Sequence, residues 1–212
     1  MNLSTKIDFL KALYVTIIIL ANLLGSKITT IFGISVSVGI FMVPLAFLIT
    51  DVLEEILGKK EIKKLIIITA SALIVTFLFV LLSLALPPNS RFTHNDEYTT
   101  IFSASTRMLI ASLVAFVLSQ TNDAYMFDLI KRKTHGKYLW IRNNLSTISS
   151  QFIDTVVFMF IAFYHLTPKF SVGFIWQLII PYFIFKIVFA LIDTPFFYVG
   201  VKWLKSSKDY KG

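Results

Sequence analysis

The sequence predicts an all-α integral membrane protein of six transmembrane helices, with the N- and C-termini in the cytoplasm. Two observations support this fold class. Of the 212 residues, 56% are hydrophobic and only 15% are charged, whereas soluble proteins carry about 25% charged residues. The basic residues also cluster at one set of segment ends, as expected of a multi-pass cell-membrane protein. We predict a single transmembrane domain over residues 1–212.

Six apolar segments are each at least the roughly 20 residues that cross a bilayer core. The polar start Met1–Lys11 precedes the first without an A-x-A-like cleavage site, which predicts a retained helix rather than a signal peptide. Phe32-Gly33 marks a tight connection, and Pro87-Pro88 ends the third segment. The predicted spans are Leu10–Ile31, Ser35–Leu57, Leu65–Leu86, Ile101–Ile130, Thr147–Leu166 and Val172–Leu204.

The distribution of Lys and Arg predicts the orientation. Fifteen of the 20 basic residues flank the spans on one side, and only Arg91 and Lys169 flank them on the other. Cytoplasmic loops carry this excess, so both termini are expected inside. The fifteen are Lys6, Lys11, Lys59, Lys60, Lys63, Lys64, Lys131, Arg132, Lys133, Lys137, Arg142, Lys202, Lys205, Lys208 and Lys211.

Several functions are excluded by what the sequence lacks. There are no cysteines, so disulfides, thiol catalysis and Cys-based metal sites are excluded. The three histidines have no partners at metal-ligand spacing, and no P-loop or hydrolase motif is present, so we predict no metal, cofactor or catalytic residue. The net charge of +8 is explained by membrane orientation, which predicts no nucleic-acid partner. The sequence is compatible with a homo-oligomer.

The pattern S-Q-x-x-D-x-x-x-F occurs twice, at residues 119–127 and 150–158, and both copies lie inside apolar segments. Helical spacing places Gln120 with Asp123, and Gln151 with Asp154, on one face of each helix. Burying such groups in a membrane costs several kcal/mol unless partners or a ligand satisfy them. The repeat therefore predicts a polar site shared by two neighbouring helices.

Counting 1.5 Å per residue from the cytoplasmic boundary puts four carboxylates, each on a different helix, at about the same depth of 12 Å. They are Asp51, Asp123, Asp154 and Asp193. Buried membrane acids of this kind usually face the bundle interior and mark a substrate or ion path.

Structural alternatives stand beside each of these acids. Asp123 and Asp154 can instead hydrogen-bond a serine or amide on the adjacent helix. Asp51, like Glu54, can lie near the interface, and Asp193 can satisfy the backbone freed by a kink at Pro195.

Three further polar residues within spans are candidate ligand contacts. Lys186 can contact substrate, neutralise the carboxylates or snorkel to the outer surface, and Arg107 lies close enough to the outer interface to snorkel. Asn22, beside Gly25-Ser26, can contact a ligand or serve close helix packing.

The chain resembles the queuosine precursor transporters, also called the vitamin uptake transporter family, over nearly its whole length. The resemblance is carried by residues 43–51 (VPLAFLITD), by Arg107–Phe116 leading into Gln120 and Asp123–Phe127, by Asp154-Thr155 with Phe158–Phe163, and by Phe185-Lys186 with Pro195 and Tyr198.

The resemblance implies uptake of 7-deazaguanine bases, 7-cyano- or 7-aminomethyl-7-deazaguanine, for salvage into tRNA queuosine. A carboxylate can accept N1–H and the exocyclic amine of such a base, Gln120, Gln151 or Asn22 can reach its other edges, and Lys186 or Arg107 can donate to its carbonyl. Two other functions stay open: a membrane subunit that binds substrate for a separate energising partner, and an intramembrane hydrolase using paired aspartates.

Overall fold

The computed structural model describes residues 2–135, 139–192 and 194–207. Seven α-helices and one β-hairpin make up this part of the chain. Side chains are described for all of these residues except 59, 120, 123, 124, 127, 131, 139–144, 147, 189–191 and 194.

The chain is predominantly helical, as predicted, with one β-hairpin after the first helix that the sequence did not predict. Helix α1 spans Leu3–Leu24, and strands β1 (Ile28–Ile31) and β2 (Ile34–Ser37) pair antiparallel. Phe32 and Gly33 have φ of 50° and 79°, the left-handed conformation that a two-residue hairpin turn needs. The β-branched strand residues are as apolar as a membrane helix, so hydrophobicity alone assigned them to the ends of the first two spans.

The second predicted span is a much shorter helix. A 3₁₀ turn, Val38–Phe41, leads into α2, which spans the 15 residues Val43–Leu57 with Pro44 in its first turn. At 1.5 Å per residue, α2 is about 22 Å long, less than the roughly 30 Å of a bilayer core. The hairpin and α2 together therefore replace the single span predicted for Ser35–Leu57.

Helices α3 (Lys59–Ala85), α4 (Asn95–Lys133) and α5 (Leu139–Phe163) follow. Helices α4 and α5 run antiparallel. The Arg107 guanidinium in α4 contacts the end of α5, and the Asn122 amide donates to the Ser149 hydroxyl at 2.9 Å near its start. The two helices that contain the repeat copies are thus neighbours, as predicted.

The last predicted span consists of two helices, α6 (Val172–Ile192) and α7 (Thr194–Lys205). Pro195 is the second residue of α7. Backbone N–H groups in the first turn of a helix have no partner within the helix, so a proline at this position removes no helical hydrogen bond. Helix α7 packs closely on α2 at Gly200, where an added Cβ would lie 2.8 Å from a Val52 methyl.

The described helices have the surface of a membrane protein. Three of them, over Leu3–Leu24, Lys60–Ala85 and Asn95–Ser119, are long and apolar enough to cross a bilayer, and Ile148–Phe163 and Val172–Val188 are shorter apolar helices. Large apolar side chains such as Phe79, which is 66% exposed, cover the outside of α3. Such a surface is stable facing lipid and unfavourable facing water.

Candidate functional site

A cavity of about 420 Å³ lies between the helices, within the range typical of small-molecule sites. Helices α1 to α6 and the end of the hairpin all contribute to its wall. Its polar lining is made by Tyr14, Asn22, Ser37, Thr50, Asp51, Glu54, Thr69, Ser112, Ser119, Ser150, Gln151, Asp154, Thr155, Tyr182 and Lys186.

The best-defined polar group in this wall is the ammonium of Lys186. Its Nζ lies 3.0 Å from Asp154 Oδ2, 3.1 Å from Thr155 Oγ1 and 3.3 Å from Gln151 Oε1. It also lies 5.5 Å from the ring centre of Tyr182, within the range of a cation–π interaction. The predicted Gln151, Asp154 and Lys186 are thus brought together in one network.

Burial within the network is asymmetric. The Lys186 side chain is 9% exposed, whereas the Asp154 side chain is 34% exposed. A buried ammonium is stable only when its charge is paired and its donors are bonded. Asp154 supplies the pairing and still presents part of its carboxylate to the cavity.

Helical spacing explains why these side chains converge. Gln151, Asp154 and Thr155 stand at i, i+3 and i+4 on α5, and Tyr182 and Lys186 stand at i and i+4 on α6. The Thr155 hydroxyl donates to the backbone carbonyl of Gln151 at 2.8 Å. Its oxygen therefore faces Lys186 with an acceptor lone pair. One face of α5 thus surrounds one cation of α6.

Asn22 lines the cavity from α1, but part of its amide is used in helix packing. Its Nδ2 donates to the Ile18 carbonyl at 2.9 Å, and its Oδ1 accepts from the Ser112 hydroxyl of α4 at 2.5 Å. The Ser105 hydroxyl of α4 donates to the Leu23 carbonyl at 2.7 Å. The sequence alternatives of packing and ligand contact are therefore both compatible with this geometry.

Asp51 and Glu54 line the cavity from α2. The same two side chains, with Glu55 and Gly58, also line a second, more open concavity of about 330 Å³ at the C-terminal end of α2. The two spaces share these residues and therefore adjoin on α2.

Arg107 is located away from the cavity wall. Its Nε donates to the Ile161 carbonyl at 2.6 Å, and a terminal guanidinium nitrogen donates to the Tyr164 carbonyl. Carbonyls at the end of a helix have no partner within the helix. Arg107 therefore caps the end of α5, whereas the sequence predicted a ligand contact or a snorkelling side chain.

Three predicted site residues lie partly or wholly outside the described part of the chain. Gln120 and Asp123 belong to α4, but their side chains are not described, and Asp193 lies between α6 and α7 outside the described residues. Ser119 from the same repeat copy does line the cavity.

Thr155 and Tyr182 line the cavity but are not among the residues predicted from sequence, although the helical spacing of both is informative. Thr155 is four residues after Gln151, and Tyr182 is four residues before Lys186. Each therefore lies one helical turn from a polar residue that the sequence already marks as a candidate, Gln151 or Lys186.

Comparison with known proteins identifies the family. The family described as "Putative vitamin uptake transporter" matches residues 37–200. A "Probable queuosine precursor transporter" of Bacillus subtilis is 32% identical over 89% of this chain and 81% of its own length. The "Queuosine precursor transporter" of Escherichia coli is 24% identical over 91% of this chain and 87% of its own.

A third relative, a "Probable queuosine precursor transporter" of Haemophilus influenzae, is 28% identical over 73% of this chain and 63% of its own length. No solved structure matches the chain. The family match covers well over half of the sequence, and the apolar helices agree with it. The chain therefore belongs to the vitamin uptake transporter family, and it is a multi-pass transporter of the cell membrane rather than an enzyme.

Proposed function

We propose that the protein imports queuosine precursors, 7-cyano- or 7-aminomethyl-7-deazaguanine, and that the base binds in the cavity lined by helices α1 to α6. One observation carries the proposal. In a chain whose relatives are named queuosine precursor transporters, a 420 Å³ intramembrane cavity is lined by Gln151, Asp154 and Lys186.

The chemistry of the lining suits such a base. A deazaguanine carries N1–H and an exocyclic amine side by side, and one carboxylate can accept from both. The partly exposed carboxylate of Asp154 is available for this role. Rings of Phe116, Phe158 and Tyr182 also line the cavity. Stacking on such a ring contributes about 1–3 kcal/mol per base.

The remaining predicted residues enter the proposal with different support. Asp51 and Asn22 line the same cavity and are proposed to complete it. Gln120, Asp123 and Asp193 stay predictions, supported by the repeat and by the depth count. Arg107 donates two hydrogen bonds to carbonyls at the C-terminal end of α5, which favours a structural role.

We place both termini in the cytoplasm, and six spans between them. The excess of basic residues at that side supports this orientation. The termini also meet: Lys6 Nζ near the start of α1 donates to the Trp203 carbonyl near the end of α7 at 2.5 Å. Termini in contact lie on the same side of the membrane.

Uptake of labelled 7-deazaguanine base by cells blocked in queuosine synthesis tests the proposal. Cells expressing the wild-type chain should accumulate label, whereas Asp154→Asn and Asp123→Asn should not, although both proteins are inserted. Asp128→Asn is the matched control, because Asp128 pairs with Arg132 at 2.7 Å on an exposed surface. Normal uptake by both variants would contradict the proposed site.

Reconstitution of the purified chain in liposomes tests whether it acts alone. Transport without a partner protein is the expected result. Binding without transport would instead support a substrate-binding subunit that needs a separate energising partner.

A further inference from the structure

We propose that Lys186 is a positioning residue that fixes the Gln151 amide, so that Gln151 and Asp154 present one donor and one acceptor to a planar lactam, a ring with adjacent N–H and C=O. This inference rests on the proposed function and deepens it, because it assigns which edge of the base is recognised and by which atoms.

The hydrogen-bond capacity of Lys186 is fully used within the protein. An ammonium has three N–H groups and no acceptor. Three acceptors surround Nζ at 3.0–3.3 Å, one each from Asp154, Thr155 and Gln151. All three donors are thus engaged within the protein. With a side chain only 9% exposed, Lys186 has no N–H left to offer a ligand.

Lys186 determines the orientation of the Gln151 amide. Because Lys186 only donates, the Gln151 atom that faces it must be the carbonyl oxygen Oε1. The amide nitrogen Nε2 then points away from Lys186. Among the described residues, Nε2 donates no hydrogen bond, and Gln151 lines the cavity. Gln151 is therefore a donor toward the cavity.

The two carboxylate oxygens of Asp154 differ in the same way. Its Oδ2 accepts from Lys186, whereas Oδ1 has no hydrogen-bond donor among the described residues, and the side chain is 34% exposed. The carboxylate thus presents an acceptor to the cavity. Its charge is largely balanced by Lys186, so this wall recognises a neutral hydrogen-bonding edge rather than a cation.

Gln151 and Asp154 are one helical turn apart, so their free donor and acceptor lie side by side. A lactam such as the six-membered ring of 7-deazaguanine is complementary: its carbonyl accepts from Gln151 and its N1–H donates to Asp154. The 6-amino analogue, 7-deaza-2,6-diaminopurine, has the two functions reversed and would place donor against donor and acceptor against acceptor.

A charge-conserving exchange tests this assignment. In the double variant Gln151→Glu/Asp154→Asn, Lys186 still has a carboxylate partner, but the cavity now faces a carboxylate at position 151 and an amide N–H at position 154. Affinities of the purified protein for 7-deazaguanine and for 7-deaza-2,6-diaminopurine are measured by calorimetry. Melting temperature verifies that the variant is folded.

The wild type should prefer the lactam, and the exchange variant should prefer the diamino compound. We expect a preference of about 100-fold in each protein, in opposite directions, since each of the two mismatched pairs costs about tenfold. An unchanged ratio overturns the inference. Loss of both ligands by the folded variant also overturns it, because charge and hydrogen-bond capacity are retained.

Lys186→Met provides a second, independent arm. Without the ammonium the Gln151 amide can take either orientation, so discrimination between the two compounds should fall while binding of the lactam persists at reduced affinity. Full discrimination in Lys186→Met would contradict a positioning role. Failure of the wild type to bind 7-deazaguanine at all would instead refute the proposed function, which keeps the two claims separable.

Discussion

Replacing Asp154 with Ala should destabilise the protein more than any exposed ion-pair substitution in the chain. The variant leaves Lys186, whose side chain is 9% exposed, with two neutral acceptors and no counter-charge. Breaking a fully buried pair on one side costs about 3–5 kcal/mol. Because Asp154 is 34% exposed, solvent offsets part of this cost, and we expect about 2–3 kcal/mol.

A change of this size should be visible in thermal unfolding of the detergent-solubilised protein. For a chain of this length, each kcal/mol lowers the melting temperature by about 2–4 °C, so a fall of about 4–12 °C is expected. Asp128→Ala is the control of like chemistry, since its pair with Arg132 is exposed and contributes less than about 1 kcal/mol.

The double variant Asp154→Ala/Lys186→Met separates lost charge pairing from lost packing. Removing both charges eliminates the uncompensated ammonium, and the Thr155 hydroxyl keeps its bond to the backbone carbonyl of Gln151. Most of the lost stability should therefore return. A double variant as unstable as Asp154→Ala alone, or an Asp154→Ala variant no less stable than Asp128→Ala, would refute the reasoning.

Three further substitutions test the packing around the site. Gly200→Ala should cost about 1–3 kcal/mol through overlap with Val52, and adding Val52→Ala should restore part of it in thermal unfolding. Arg107→Met should lower stability by about 1–3 kcal/mol per helix-end carbonyl left unbonded, with ligand affinity unchanged by calorimetry. Ser112→Ala should cost about 1 kcal/mol in the same melting assay by removing the bond to Asn22, and an unchanged melting temperature would contradict that contact.

The membrane character and most helices could be predicted from sequence because composition and hydrophobic segments report directly on the lipid environment. The hairpin at residues 28–37 could not be predicted in this way, because hydrophobicity alone does not distinguish a strand rich in Ile, Thr and Val from a membrane helix. The turn at Phe32-Gly33 was identified, but a tight connection between two helices accounts for it equally well.

The lining of the cavity could be predicted in part from the repeat. In the second copy, Ser150, Gln151, Asp154 and Phe158 all line the cavity, as helical spacing implied. Engagement of all three Lys186 donors could not be foreseen, because it depends on how α6 is placed against α5. The capping role of Arg107 likewise requires knowing where α5 ends.

Calorimetric binding of 7-cyano-7-deazaguanine to wild-type and Asp154→Asn protein tests the central claim most directly. In the variant, Lys186 holds the amide oxygen, so an N–H group faces the N1–H of the base. Loss of a hydrogen bond to a charged acceptor, about 1.5–3 kcal/mol, predicts roughly 10- to 150-fold weaker binding. Equal affinity of the two folded proteins would contradict the proposed site.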